Sequence, residues 1–193
     1  MLTHPVHWPG VKAVADPADV LWRGGVHYLL PPVAPRGAPE PATLEIALAL
    51  AALARSAYPR DAEAIVATLL CRPDWAEAVP PASALLPPGG GPAAELRYGY
   101  LAAAYLQRHW EPLLRLYWRG PWTTLPDLYA EELGLPPPSD DPFTAHWNVL
   151  LLAERRRQES GCDFLSEYEK IVHHLEGQWR AEGRHPSAAM LTP

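Results

Sequence analysis

From residue 43 onward the apolar positions recur at helical spacing, and prolines and glycines cut them into segments. "TLEIALALAALARSAYP" reads as a helix of strong formers capped by Thr43 and stopped at Pro59. "RDAEAIVATLLCRP" reads as a second, opened by Asp61 and closed before Pro73, and "DWAEAVPP" as a short helical turn from Asp74. "PPGGGP" (87–92) is a flexible joint. "AAELRYGYLAAAYLQRHWEPLLRLYW" supplies one long helix, or two that meet near Pro112, because proline lacks the donor and clashes with the preceding turn.

Three more segments follow. "TTLPDLYAEELG" reads as a helix with Thr124 as cap, Pro126 near the first turn and Gly134 as stop, and "PPPS" is another joint. In "SDDPFTAHWNVLLLAERRR", Asp141 caps, Pro142 takes the first helical position, and Phe143, Trp147, Leu150 and Leu151 form the apolar stripe. Acids at its start and Arg155, Arg156 and Arg157 at its end complement the helix dipole, and Gly161 ends it. Asp163 opens a last helix with Phe164, Tyr168, Ile171, Leu175 and Trp179 on one face. No alternating strand pattern occurs after residue 42. The expected fold is all-α.

Residues 1–42 differ. Eight prolines fall there, with Gly24-Gly25 between apolar runs, so no long helix is expected. The segment reads as an extended, proline-rich arm packing through Trp8, Trp22 and Tyr28, with a strand or hairpin possible around "VLWRGGVHYLL". The expected organisation is this arm, a single-domain helical bundle over 43–182, and a tail over 183–193.

Composition narrows the classes. At 193 residues, 48% apolar and 20% charged, the chain can bury a substantial core. A net charge of -6 argues against nucleic acid as the default partner. Two distant cysteines, Cys71 and Cys162, make neither a disulfide framework nor a metal knuckle, which fits a reducing compartment. The start "MLTHPVHWPG" lacks a secretory pattern and no run reaches the roughly 20 apolar residues of a membrane span, so a cytoplasmic protein without membrane insertion is expected.

Candidate chemistry is sparse. Eight histidines raise the question of a metal, but His173 and His174 are adjacent and point about 100° apart on a helix, and His109 and His146 could meet only in the tertiary structure. "PPGGGP" lacks the Lys-Ser/Thr of a phosphate loop, and no nucleophile elbow occurs. The expectation is no enzyme, no metal and no cofactor. More telling is "RHWEPLLRLYWRGPW", where Trp110, Tyr117, Trp118 and Trp122 interleave with arginines. Such rigid amphipathic rings suit a peptide-binding groove, or else the core of an aromatic-rich bundle.

From residue 44 the order of these pieces resembles the TorD/NarJ-like redox-enzyme maturation chaperones, cytoplasmic all-helical partners of molybdenum oxidoreductases. "ALALAALARSAYPRDAEAIVATLLCRPDWAEAV" is similar to that family's opening, "LRYGYLAAAYLQRHW" to the helix before its aromatic hinge, "LPDLYAEELGLPPPSDDPFTAHWNVLLLAERR" to its central loop and next helix, and "CDFLSEYEKIVHHLEGQW" to its closing helix. Asp141, Pro142 and His146 stand in for the family's loop motif, with Ala145 where an aspartate is expected before the histidine. The resemblance implies a chaperone, monomer or homodimer, that binds the twin-arginine signal peptide or apo-form of a molybdopterin oxidoreductase catalytic subunit. Its peptide-binding residues would be Trp110, Tyr117, Trp118, Trp122, Asp140, Asp141, Pro142 and His146, the acids meeting the arginines and the indoles the apolar stretch. Two other classes compete: a helical adaptor of a larger assembly (a phage-like connector or complex subunit), and a metal or haem protein argued from histidine count alone.

Overall fold

The computed structural model describes residues 16–29, 38–119 and 122–184. The described elements are helices, with no strand among them. They are α1 (Pro17–Arg23), α2 (Thr43–Arg55), α3 (Pro59–Cys71), a 3₁₀ segment (Pro73–Ala78), α4 (Val79–Ala84), α5 (Gly91–His109), α6 (Glu111–Tyr117), α7 (Ala130–Leu133), α8 (Pro142–Ser160) and α9 (Phe164–Ala181). The expected all-α bundle is what the chain forms.

Helix α5 is the axis of the bundle, packing against α3 and α8 most extensively and against α2, α4, α6 and α9 as well. Nearly every residue from Tyr98 to Gln107 is buried, so this helix is enclosed all round rather than amphipathic. Its tyrosines carry their polar ends to partners: Tyr98 Oη donates to Glu159 at 2.8 Å, Tyr100 Oη to the Pro126 carbonyl at 2.7 Å, and Tyr105 Oη to the Pro136 carbonyl. The chain breaks between α5 and α6 at Trp110, one residue before Glu111-Pro112, as the proline requires.

Several helix ends lie where the sequence places them. Asp141 caps α8, its side chain accepting from the Thr144 amide at 2.8 Å, and Asp163 caps α9 through the Ser166 amide at 3.4 Å. Gly134 and Gly161 close α7 and α8 at φ 65° and 77°, the left-handed conformation that favours glycine. The face of α9 is also as read, with Tyr168, Ile171, Leu175 and Trp179 buried and Val172 added.

Four local expectations are corrected. The "VLWRGG" stretch is no strand: α1 occupies Pro17–Arg23, capped by Asp16, and a turn at Gly24-Gly25 leads Val26 and Tyr28 into the core. This part of the arm belongs to the bundle, held by Arg23 to Glu45 at 2.8 Å, by Trp22 Nε1 donating to the Leu29 carbonyl at 3.3 Å, and by Tyr28 Oη donating to Glu63 at 2.9 Å. Trp8 and the tail beyond residue 184 lie outside the described residues. At the start of α2, Ala42 rather than Thr43 is the cap position, and the Glu45 carboxylate accepts its amide at 3.0 Å.

The third correction concerns residues 124–129, which are not helical. Their backbone is claimed by α5: Gln107 Nε2 donates to the Thr123 carbonyl at 2.8 Å, Arg108 to the Leu125 carbonyl at 2.9 Å, and the Leu125 amide donates to Gln107 Oε1 at 2.7 Å. Those groups are then unavailable for a helical ladder.

The fourth is the rotation of α8. The stripe beginning Phe143 and Trp147 faces outward, at 82% and 54% exposure, and the buried face is Ala145, Asn148, Val149, Leu152, Ala153 and Arg156. Two polar residues decide this. Asn148 Nδ2 donates to the Pro137 carbonyl at 3.0 Å, and Arg156 forks both oxygens of Glu95 at 3.0 and 2.8 Å while its guanidinium lies 4.1 Å over Phe164 and 4.8 Å over Tyr98. Alanines at 145 and 153 let the helix approach the bundle closely, whereas phenylalanine and tryptophan would not fit there.

Candidate functional site

The residues singled out from the sequence gather at one end of the bundle, where α5 ends and α8 begins. His109 Nε2 and His146 Nδ1 lie 3.3 Å apart. His146 is exposed, while His109 is partly buried, and burial with the neighbouring His146 lowers its tendency to protonate below the ordinary value. Trp110 packs edge-on to His109 and His173. Tyr117 is buried against Trp179, with its hydroxyl at 2.7 Å from Arg180 Nε, which donates to it. Trp118 and Trp122 meet edge to face at 5.2 Å, and the Arg115 guanidinium lies 5.1 Å over Trp122.

Trp110, Tyr117 and Trp122 thus pack on the core, the bundle-packing alternative that the sequence left open. The acids are engaged locally. Asp140 receives Arg108 at 3.2 Å and is otherwise exposed. Both donors on Thr144, the hydroxyl at 2.6 Å and the amide at 2.8 Å, converge on Asp141 Oδ2 and hold its carboxyl below the usual range. Pro142 is exposed at the first position of α8. The structure brings His146 to His109 and Asp140 to Arg108.

A concavity exists elsewhere. A groove of about 710 Å³ runs between the C-terminal end of α2, the N-terminal halves of α3, α5 and α9, and the C-terminal end of α8. None of the eight residues lines it. Its apolar surface includes Ala54, Val66, Gly99, Phe164 and Ile171, and Tyr58 stands at its rim at 75% exposure. Gly99, on this surface, lets α5 approach α3 closely: a Cβ there would lie 3.0 Å from Ile65 Cγ2. Four carboxylates, Glu63, Glu95, Asp163 and Glu167, face this apolar surface together with Arg55 and Arg156.

Sequence reasoning missed the groove because its walls come from five helices, each contributing a few residues that look unremarkable along the chain. The available signal was the scatter of small residues Ala54, Ala57, Ala62, Gly91 and Gly99, which leave room between helices.

Burial pushes the Cys71 thiol, outside the groove, up to about 12, away from reactive thiolate, and Cys162 is exposed at the groove edge with its sulfur 3.9 Å from the Ser160 carbonyl. Among the described residues no three His, Cys, Asp or Glu side chains are arranged to hold a metal ion, and no helix is long and apolar enough to cross a membrane.

No family profile, no curated protein and no solved structure matches this chain.

Proposed function

We propose that this protein is a client-specific chaperone that binds a cationic, otherwise apolar polypeptide segment in the groove between α3, α5 and α9. In the form that the resemblance implies, the client is a molybdopterin oxidoreductase in its apo-form, or its twin-arginine signal peptide, held in the cytoplasm during cofactor insertion. One observation carries the reading: a largely apolar concavity of about 710 Å³ is lined by four carboxylates against two arginines, the complement of an arginine-bearing apolar segment. The indole cluster and Asp140–Asp141 lie outside this groove, and we place the seat in the groove, at the opposite end of α5.

The test is titration of a fluorescent peptide with two arginines followed by a leucine-rich stretch, against a scrambled peptide and against Ala57→Trp, which places bulk on an exposed residue of the groove. Saturable binding to the wild type, lost in Ala57→Trp, is expected. Equal binding by both proteins would remove the groove from the proposal.

The adaptor reading rests on a different observation, the outward Phe143 and Trp147 on α8. Large aromatics exposed one helical turn apart fit a surface covered by a neighbouring subunit. A wild type that runs as a monomer over a hundredfold concentration range in light scattering, with no partner retained on purification, would count against it.

A further inference from the structure

Resting on the proposed groove, we infer that it reads charge at one end: Glu63 on α3 and Glu167 on α9 receive a ligand guanidinium, and the ligand's apolar side chains run from there toward Ala54, Val66 and Gly99.

Of the four groove carboxylates, two are committed to the fold. Arg156 occupies both oxygens of Glu95, and Asp163 caps α9. Burial works against the Arg156 charge, but Glu95 outweighs it and the guanidinium stays protonated, so this pair is internally neutral; the other groove cation, Arg55, donates to the Leu85 carbonyl. Glu63 and Glu167 differ. Glu63 accepts a hydrogen bond from the neutral Tyr28 hydroxyl at 2.9 Å, and among the described residues no cation forms an ion pair with it. Glu167 holds Lys170 at 2.7 Å in a pair open to solvent, an interaction worth little and readily exchanged.

The two carboxylates line the same groove from two helices. Both lie close enough to the Tyr28 hydroxyl for their charges to oppose its ionisation, alongside burial as the main cause. The nearby Arg60 guanidinium reaches back to the Tyr28 carbonyl at 3.5 Å. A pair of carboxylates from two helices, partly desolvated beside an apolar floor, suits the planar five-donor guanidinium better than a compact ammonium. Charge complementarity therefore commits the occupant to an arginine-bearing apolar segment in one orientation, and Tyr28 acts as a positioning residue for Glu63.

The experiment compares three capped peptides on the same leucine-rich stretch, carrying two arginines, two lysines or two citrullines, against wild type, Glu63→Gln, Glu167→Gln and the control Glu154→Gln, a carboxylate that does not line the groove. The glutamines retain acceptors, and circular dichroism verifies the fold. Each groove variant is expected to weaken the arginine peptide about tenfold and to leave the citrulline peptide unchanged, with Glu154→Gln equal to wild type. Unchanged arginine binding in both groove variants, while Ala57→Trp still abolishes it, overturns the charge reading and leaves the groove standing. Failure of the wild type to bind any of the peptides sinks both.

Discussion

The carboxamide of Gln107 holds the 123–125 backbone at two points, accepting from the Leu125 amide at 2.7 Å and donating to the Thr123 carbonyl at 2.8 Å, with Gln107 and Leu125 both buried. This clamp fixes the connection between α6 and α7 against the central helix. Gln107→Leu keeps the volume but leaves the buried Leu125 amide without an acceptor. It is expected to cost about 2–3 kcal/mol by chemical denaturation. A loss below a few tenths would mean that water replaces the side chain.

The start of the chain is tied in by close packing at Gly24. A Cβ at this buried position would collide with the Trp75 indole, itself buried beneath the Arg72 guanidinium. Gly24→Ala is expected to destabilise by about 1–3 kcal/mol through overpacking. Gly25→Ala, where nothing lies within 4 Å, strains only a positive φ of 76° and should cost less, about 1 kcal/mol. Equal losses would show that α1 does not dock as described.

The rotation of α8 predicts opposite outcomes for two apolar residues of one helix. Phe143→Ser, on the exposed face, should change stability by no more than about 0.5 kcal/mol, whereas Leu152→Ala, fully buried, should cost about 2–5 kcal/mol. The amphipathic pattern read from the sequence alone would rank Phe143 with the core. Urea unfolding of the two variants separates the alternatives.

Acidification should weaken the fold in two windows. Burial, and then His146, hold the His109 imidazole below its ordinary value of 6.5, so the unfolded chain takes up that proton more readily and stability falls as pH drops through 6.5. The second window opens below the ordinary carboxylate range. There Glu154, held down to about 2 by Arg157 and Gln158, and Glu45, held down by Arg23, resist protonation in the native state and lose their contribution as pH falls. Melting temperature measured from pH 8 to pH 3 should therefore decline first near 6 and again below 4.5, and His109→Gln should remove the first decline alone. A first decline retained in His109→Gln would assign it to another group.

What the sequence determined by itself was local. Helix ends at Asp141, Gly134, Gly161 and Asp163, the break before Pro112 and the buried face of α9 follow from capping, proline sterics and residue periodicity, which act within about one turn. The tertiary structure decided everything that depends on a distant partner. Gln107 and Arg108 draw residues 123–125 out of the helix that their own caps announce, and Asn148 and Arg156 turn α8 inward because Pro137 and Glu95 satisfy them. Small residues and acids from five helices become a groove only once α5 is enclosed. A buried polar group must find its hydrogen-bond partner, and that requirement can override a hydrophobic stripe.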